Sequence, residues 1–205
     1  MSNYTDRRRF MAIAMAAGGP LAATPLIGQA SEPSPHTSHT AYPSFDSLYT
    51  TSLAATSLTG EAADRIAIRE LVDAWAHCAD RRLFEKQAAL FTKDGVCIIY
   101  GGDPATHQAT GTLRGQAEIL AALPVLNKLA ATTHFNGQSV IVIEGEHAVG
   151  ETYCLAHQLL EEGEKRTLQI LSIRYLDRLV REGRRWLFSE RKLIIDWSDT
   201  RPSAA

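Results

Sequence analysis

The chain has 205 residues, of which 45% are hydrophobic and 21% charged, a balance that suits one globular domain with some unstructured sequence. Its 21 basic and 23 acidic residues give a formal net charge of −2. Without a basic surplus there is no electrostatic case for binding nucleic acid or an anionic membrane. We therefore expect a small ligand, no nucleic acid, and no membrane contact once the N-terminus has been processed.

The first 30 residues are typical of an export signal. Residues 5–11 contain three consecutive arginines followed by Phe and Met, and an apolar stretch follows over residues 12–27. The arrangement resembles a twin-arginine signal, and residues 28–30 offer small side chains to a signal peptidase. Glycines and prolines interrupt the apolar stretch, so it is a poor membrane span. We predict a periplasmic protein; the alternative is a basic unstructured tail or a misassigned start, with a cytoplasmic location.

The rest of the chain divides into a linker, one domain and a short tail. Residues 31–57 are rich in Ser, Thr and Pro and show neither helical nor strand period, so we interpret them as a disordered linker. One folded domain is predicted over residues 58–199, with residues 200–205 as a C-terminal tail.

Two helical segments are predicted around Asp80. Apolar residues recur at three- and four-residue steps from Ala63 to Cys78, the spacing of one helix face. Thr59 and the acidic residues after it predict a capped start near residue 60. A second short apolar face follows and ends before the turn-like sequence Lys93-Asp94-Gly95. Asp80 therefore lies where the first helix ends, either as a cap between helices or as a functional acid.

The remaining chain predicts one further helix over residues 115–123 and a set of strands separated by glycine-containing turns. Helices followed by a run of strands indicate an α+β fold. We expect N-terminal helices packed on a strongly curved, mainly antiparallel sheet, a cone with an apolar pocket between the two layers. The strands are predicted over residues 96–100, 111–114, 132–144, 148–161, 167–181 and 185–197.

Asp80 and His134 are the candidate catalytic pair. A neutral imidazole can take a proton from carbon or oxygen if a carboxylate holds its tautomer and stabilises the imidazolium. The structural alternative is that Asp80 caps a helix and His134 is a hydrogen-bonded strand residue. His157 is a further candidate, because strand alternation puts it on one face with Tyr153. If that face points inward, both enter the same cavity as His134.

Aromatic and charged residues near these candidates are open to two interpretations. Trp75 and Tyr100 are core residues by default and pocket walls if the pocket exists, in which case Tyr100 offers a hydroxyl. The segment Arg174–Asp177 alternates charges, and we interpret it as a surface or interface ladder. The three cysteines, Cys78, Cys97 and Cys154, form no C-x-x-C pair, which favours buried free thiols.

No cofactor or metal is expected. The sequence contains no glycine-rich nucleotide loop, no G-x-S-x-G elbow and no H-E-x-x-H helix. Two histidines and an aspartate could imitate a metal site, but they lack the short spacing of ligand motifs.

Residues 59–197 resemble the SnoaL-like branch of the nuclear transport factor 2 (NTF2-like) superfamily, small α+β cones. The resemblance is fairly specific for the fold and weak for function. It rests on Asp80-Arg81-Arg82, Ala89 to Gly95, Gly111 to Gly115, Thr133-His134-Phe135, Arg174 to Asp177 and Trp186.

The resemblance implies a site and an activity. Scytalone dehydratase and hexachlorocyclohexane dehydrochlorinase are similar in using an aspartate and a histidine at the positions of Asp80 and His134. The dehydratase pattern adds a second histidine, matched by His157, and a lining residue, matched by Trp75. Its paired tyrosines have no counterpart here. The implied function is a cofactor-free lyase acting on a small apolar cyclic or aromatic substrate; isomerase, hydrolase and non-catalytic binding or assembly modules of the same fold remain alternatives.

Oligomerisation is expected from the apolar content of the strands. The predicted sheet has more apolar positions than one helix layer can cover, so we expect a homodimer or homotrimer formed through its outer face. The residues that suggest this are Ile141, Ile143, Leu171, Ile173 and Leu193.

Overall fold

A computed structural model describes residues 59–204. The predicted export signal and the predicted linker lie outside the described residues. Between residues 59 and 204, no helix is both long and apolar enough to cross a membrane.

The chain order is helices first and long strands afterwards, which confirms the α+β prediction. The predicted third helix continues into a 3-10 helix that contains Pro124 near its start. The last strand extends further than predicted, because Pro202 pairs with Thr167, so residues 200–202 belong to the domain and not to a tail. The elements are α1 (Gly60–Asp80), α2 (Phe84–Ala88), β1 (Phe91–Tyr100), β2 (Ala109–Arg114), α3 (Gly115–Ala122), the 3-10 helix (Leu123–Lys128), β3 (Ala131–Glu144), β4 (His147–Glu162), β5 (Lys165–Glu182) and β6 (Arg185–Pro202).

Helix α1 begins and ends where the sequence predicts, and most of its periodic apolar residues form the face that packs on the sheet, whereas Ile66 is exposed. Thr59 occupies the N-cap position in an extended conformation, but its hydroxyl makes no capping hydrogen bond, which corrects that detail of the prediction. Glu61 supports the first turn instead by pairing with Arg65 one turn later. The fully buried part of this face is Ile68, Leu71 and Val72.

The six strands form one sheet in the order β2-β1-β6-β5-β4-β3. Neighbouring strands are antiparallel except for β1 and β6, which are parallel. The sequence Lys93-Asp94-Gly95 is an irregularity inside β1 rather than a turn before it. A side chain at Gly95 would lie 2.9 Å from the carbonyl oxygen of Phe188, so the close approach of β1 to β6 requires glycine there.

The two faces of the sheet differ from the predicted assignment. Five residues were predicted to form part of an outer apolar surface. They belong to the core or pack against it instead: Ile141, Ile143, Leu171, Ile173 and Leu193. The apolar residues that do face outward lie on β3 and β4. These exposed residues are Phe135, Val140, Val142, Val149, Tyr153 and Leu155.

Candidate active site

Asp80 is the last residue of α1. A helix C-terminus favours positive charge, so a carboxylate at this position is unfavourable. A carboxylate there costs roughly 0.3–1 kcal/mol in the field of the helix dipole. The cost is offset across the interface with β3, because the Oδ2 of Asp80 accepts the backbone N–H of His134 at 2.9 Å. Within the described part of the chain, the hydrogen bonds of this carboxylate run to β3 and not to α2. Among the described residues, Asp80 is therefore not a cap between the two helices.

The imidazole of His134 completes the pair. Its Nδ1 lies 2.7 Å from the Oδ1 of Asp80, so the two carboxylate oxygens hold the ring and the backbone of one residue. The side chain of His134 is 8% exposed and that of Asp80 23%. Two donors from the same residue fix both the position and the plane of the imidazole.

Hydrogen bonding decides the charge of Asp80 and the tautomer of His134. Burial alone would raise the pKa of the Asp80 carboxyl, but the side-chain and backbone hydrogen bonds of His134, the attraction of its ring when protonated and the Thr132 hydroxyl together lower that pKa. An ionised carboxylate only accepts hydrogen bonds, so Nδ1 of His134 carries the shared proton. The neutral ring then has its lone pair on Nε2, which makes no hydrogen bond within the described part of the chain. This is the arrangement of a general base.

His157 and Tyr153 lie on the opposite face of the sheet from His134. His134 pairs with the fully buried Ala156, whereas His157 pairs with the exposed Thr133. Tyr153 is 39% exposed. Because successive strand residues point to opposite faces, the prediction that His157 and Tyr153 share a cavity with His134 is wrong.

The structure places the two aromatic residues predicted as possible pocket walls, Trp75 and Tyr100, in different surroundings. Trp75 is buried, lies five residues before Asp80 on α1, and packs edge-on against Phe91 at 5.6 Å between ring centroids. Tyr100 ends β1 beside a register shift and pairs with Ala109 and Ile194, on a strand separated from β3 by β6, β5 and β4. Tyr100 is therefore not brought together with the dyad.

The segment Arg174–Asp177 is a ladder on one face only, which corrects its interpretation. Arg174 pairs with Asp196 and Glu151 on the outer face, as a surface ladder would. Tyr175 and Asp177 are buried on the inner face, because β5 is a central strand and not an edge strand.

A buried polar cluster lies beneath Trp75, and the sequence reasoning missed it. Arg191 forms two 2.7 Å hydrogen bonds with Asp177, and its guanidinium lies 3.9 Å from the ring centroid of Phe188 and 4.2 Å from that of Tyr175. The Tyr175 hydroxyl interacts with Trp75 and with the thiol of Cys154. Strand alternation around Arg174 was the available signal, since one of its two faces had to point inward.

Two other kinds of site receive no support near the dyad. Within residues 59–204, no three His, Cys, Asp or Glu side chains are grouped so that they could hold a metal ion. A surface depression of about 340 Å³ is lined by residues that include Val142, His147 and Arg178. Val142 lies eight residues along β3 from His134, ~26 Å in an extended strand, so this depression is not the dyad's site.

The chain belongs to the SnoaL-like domain family, whose model matches residues 60–192. Its fold is that of the NTF2-like superfamily, as the resemblance predicts. No curated protein matches the chain.

Solved structures with this fold include lyases and an oxygenase subunit. A candidate scytalone dehydratase from Novosphingobium aromaticivorans is 21% identical, with a TM-score of 0.55 over 70% of this chain and 91% of the other. The LinA-type3 hexachlorocyclohexane dehydrochlorinase from Novosphingobium barchaimii is 19% identical, with a TM-score of 0.56 over 70% and 92%. The β subunit of a candidate aromatic-ring-hydroxylating dioxygenase from N. aromaticivorans is 21% identical, with a TM-score of 0.55 over 63% and 87%. At these identities the likeness concerns the fold alone.

Proposed function

We propose that the protein is a cofactor-independent lyase that eliminates a small group from an apolar cyclic or aromatic substrate, with His134 as the general base and Asp80 as its partner. The observation that carries the proposal is the double engagement of Asp80, 2.7 Å to Nδ1 and 2.9 Å to the backbone N–H of His134. A ring held in this way presents Nε2 as its basic atom.

The elimination needs one proton acceptor. Nε2 of His134 takes a proton from a substrate carbon, and the electron pair of that C–H bond forms the new double bond. The leaving group departs from the neighbouring carbon with its own bonding pair. Chloride leaves as the anion, and hydroxide leaves as water if the imidazolium returns the proton to it. Asp80 stabilises the imidazolium between these events.

Apolar surroundings support a hydrophobic substrate. The strand row that contains His134 continues with Ala156 on β4 and Leu171 on β5, both inward-facing. Leu126 of the 3-10 helix and Leu193 of β6 are only partly buried and also pack against the core. A small cyclic compound is suited to such a surface, and the named lyases with this fold give the class of reaction to test first.

A non-catalytic assembly role is the second candidate. It is favoured by the exposed apolar face of β3 and β4 and by the fold likeness to a dioxygenase β subunit. Under this alternative, Asp80 and His134 tie α1 to β3 and have no chemical role.

The test is a screen of the purified protein for elimination from halogenated and hydroxylated cyclic compounds, with product detected by mass spectrometry. His134→Ala removes the base and should reduce turnover by about 10²- to 10⁴-fold. His157→Ala is the matched control, because it removes an imidazole from the opposite face and should leave turnover unchanged. Turnover that survives in folded His134→Ala, or that is lost equally in His157→Ala, would overturn the proposal.

A further inference from the structure

Arg82, two residues beyond the end of the dyad's helix, is held in a strained backbone conformation. Arg82 has a φ of 58°, in the left-handed region that favours glycine and that a residue with a side chain adopts at a cost. The side chain of Arg82 is nevertheless used. Its Nη1 donates to the carbonyl oxygen of Ala79 at 2.6 Å and to the Oγ1 of Thr132 at 2.7 Å. One guanidinium therefore ties the last turn of α1 to the start of β3.

Both ends of this link lie beside the dyad. Ala79 precedes Asp80 in α1, and Thr132 is two residues before His134, on the same face of β3. The Thr132 side chain is among the groups that interact with the Asp80 carboxylate.

The chemistry of these groups decides which of them donates and which accepts each hydrogen bond. A guanidinium can only donate, so the Thr132 hydroxyl accepts from Arg82 and keeps its own proton free. A carboxylate can only accept, so Asp80 is a suitable recipient of that proton. His134 then donates to the same carboxylate through Nδ1.

We propose that Arg82 and Thr132 are positioning residues of the dyad: Arg82 orients the Thr132 hydroxyl toward Asp80, and the two hold the carboxylate in place for His134. The expected effect of these residues on turnover rests on the proposed general-base function. Their expected effect on the pKa of Asp80 does not. In the free protein, loss of Thr132 removes a donor from the carboxylate, and loss of Arg82 removes the group that orients the Thr132 hydroxyl toward it. The pKa of Asp80 should therefore rise in both variants.

The experiment is an NMR titration of the Asp80 carboxyl carbon in wild type and in four variants. Thr132→Val and Arg82→Met should each raise the pKa of Asp80, and Thr132→Ser, which keeps the hydroxyl, should restore the wild-type value. Thr133→Val is the matched control, because its side chain lies on the outer face of β3. The imidazole of His134 also contacts Asp80. The Cys154 thiol lies within electrostatic range of Asp80, but burial raises the pKa of that thiol to about 11, so it stays neutral during the titration.

Turnover gives the second measurement. Loss of one hydrogen bond to the dyad should lower kcat by about 2- to 10-fold in Thr132→Val with little change in KM, because the proposed role of Thr132 is to position Asp80 and not to bind substrate. The effects of Thr132→Val and Arg82→Met should not add in the double variant, since they act through the same contact. A raised pKa of Asp80 in a protein that eliminates nothing would support the positioning link and reject the function. An unchanged pKa in folded Thr132→Val would overturn the inference itself.

Discussion

Arg191 and Asp177 form a doubly hydrogen-bonded ion pair that is closed off from solvent between α1 and the sheet, with both distances at 2.7 Å. Removing one member leaves the other charge buried and unpaired, which typically costs about 3–5 kcal/mol. Arg191→Met should therefore lower the free energy of unfolding by that amount. The double variant Asp177→Leu/Arg191→Met, which leaves no unpaired charge, should lose less than the single one.

Urea unfolding measures both effects. Arg178→Met is the matched control, because Arg178 is 68% exposed and its pair with Glu190 should contribute at most about 1 kcal/mol. A loss of less than about 1 kcal/mol in Arg191→Met would show that the interior does not hold the guanidinium as a charged group.

The cysteines should be unreactive in the folded protein. Cys78, Cys97 and Cys154 are all free and buried, which confirms the prediction from their apolar sequence context. Burial raises the pKa of Cys97 to about 12, against a smaller lowering by Arg191. Because the thiolate is the reactive form, iodoacetamide at pH 7.5 should label no Cys97 until denaturant is added. Rapid native labelling of Cys97 would contradict this packing.

We expect self-association through the outer face of β3 and β4. Phe135 pairs with Leu155, and Val142 pairs with Val149, so exposed apolar residues form neighbouring cross-strand pairs. Val142→Glu should lower the mass measured by light scattering at micromolar concentration from that of a dimer or trimer to that of a monomer. Val125→Glu, on the 3-10 helix, is the control and should leave the mass unchanged. A monomeric wild type would refute the expectation.

More of the fold than of the candidate site could be predicted from the sequence. The spacing of apolar residues located α1, and glycine-containing turns located the four long strands, because these are local signals. The inward face of β4 was not a local signal: both Tyr153-Leu155-His157 and Cys154-Ala156-Gln158 are mixed apolar and polar sets. The register of β4 against β3, which pairs Ala156 with His134, decides between them. The ion pair of Asp177 and Arg191 could not be predicted for the same reason. The two residues are fourteen positions apart in the sequence and meet only through the pairing of β5 with β6.

The dyad should make folding stability depend on pH in the acid range. The pKa of Asp80 is lowered in the folded protein, so its ionised form stabilises the fold fully above the unfolded-state pKa of about 3.9. That contribution is lost as the pH falls through the lower, folded-state pKa. The difference in unfolding free energy between wild type and Asp80→Asn should therefore shrink as the pH is lowered below about 4. A difference that stays constant down to the lowest pH at which both proteins fold would contradict the assignment.

The most direct test of the general-base account is a double-mutant cycle in kcat/KM on a substrate found by the elimination screen. Asp80→Asn keeps the shape of the side chain but releases the tautomer of His134, so its loss should approach the loss of about 10²- to 10⁴-fold expected for His134→Ala. Because the two residues act as one unit, the double variant should be little worse than either single variant. Losses that multiply in the double variant, or full turnover in a folded single variant, would show that the pair is structural.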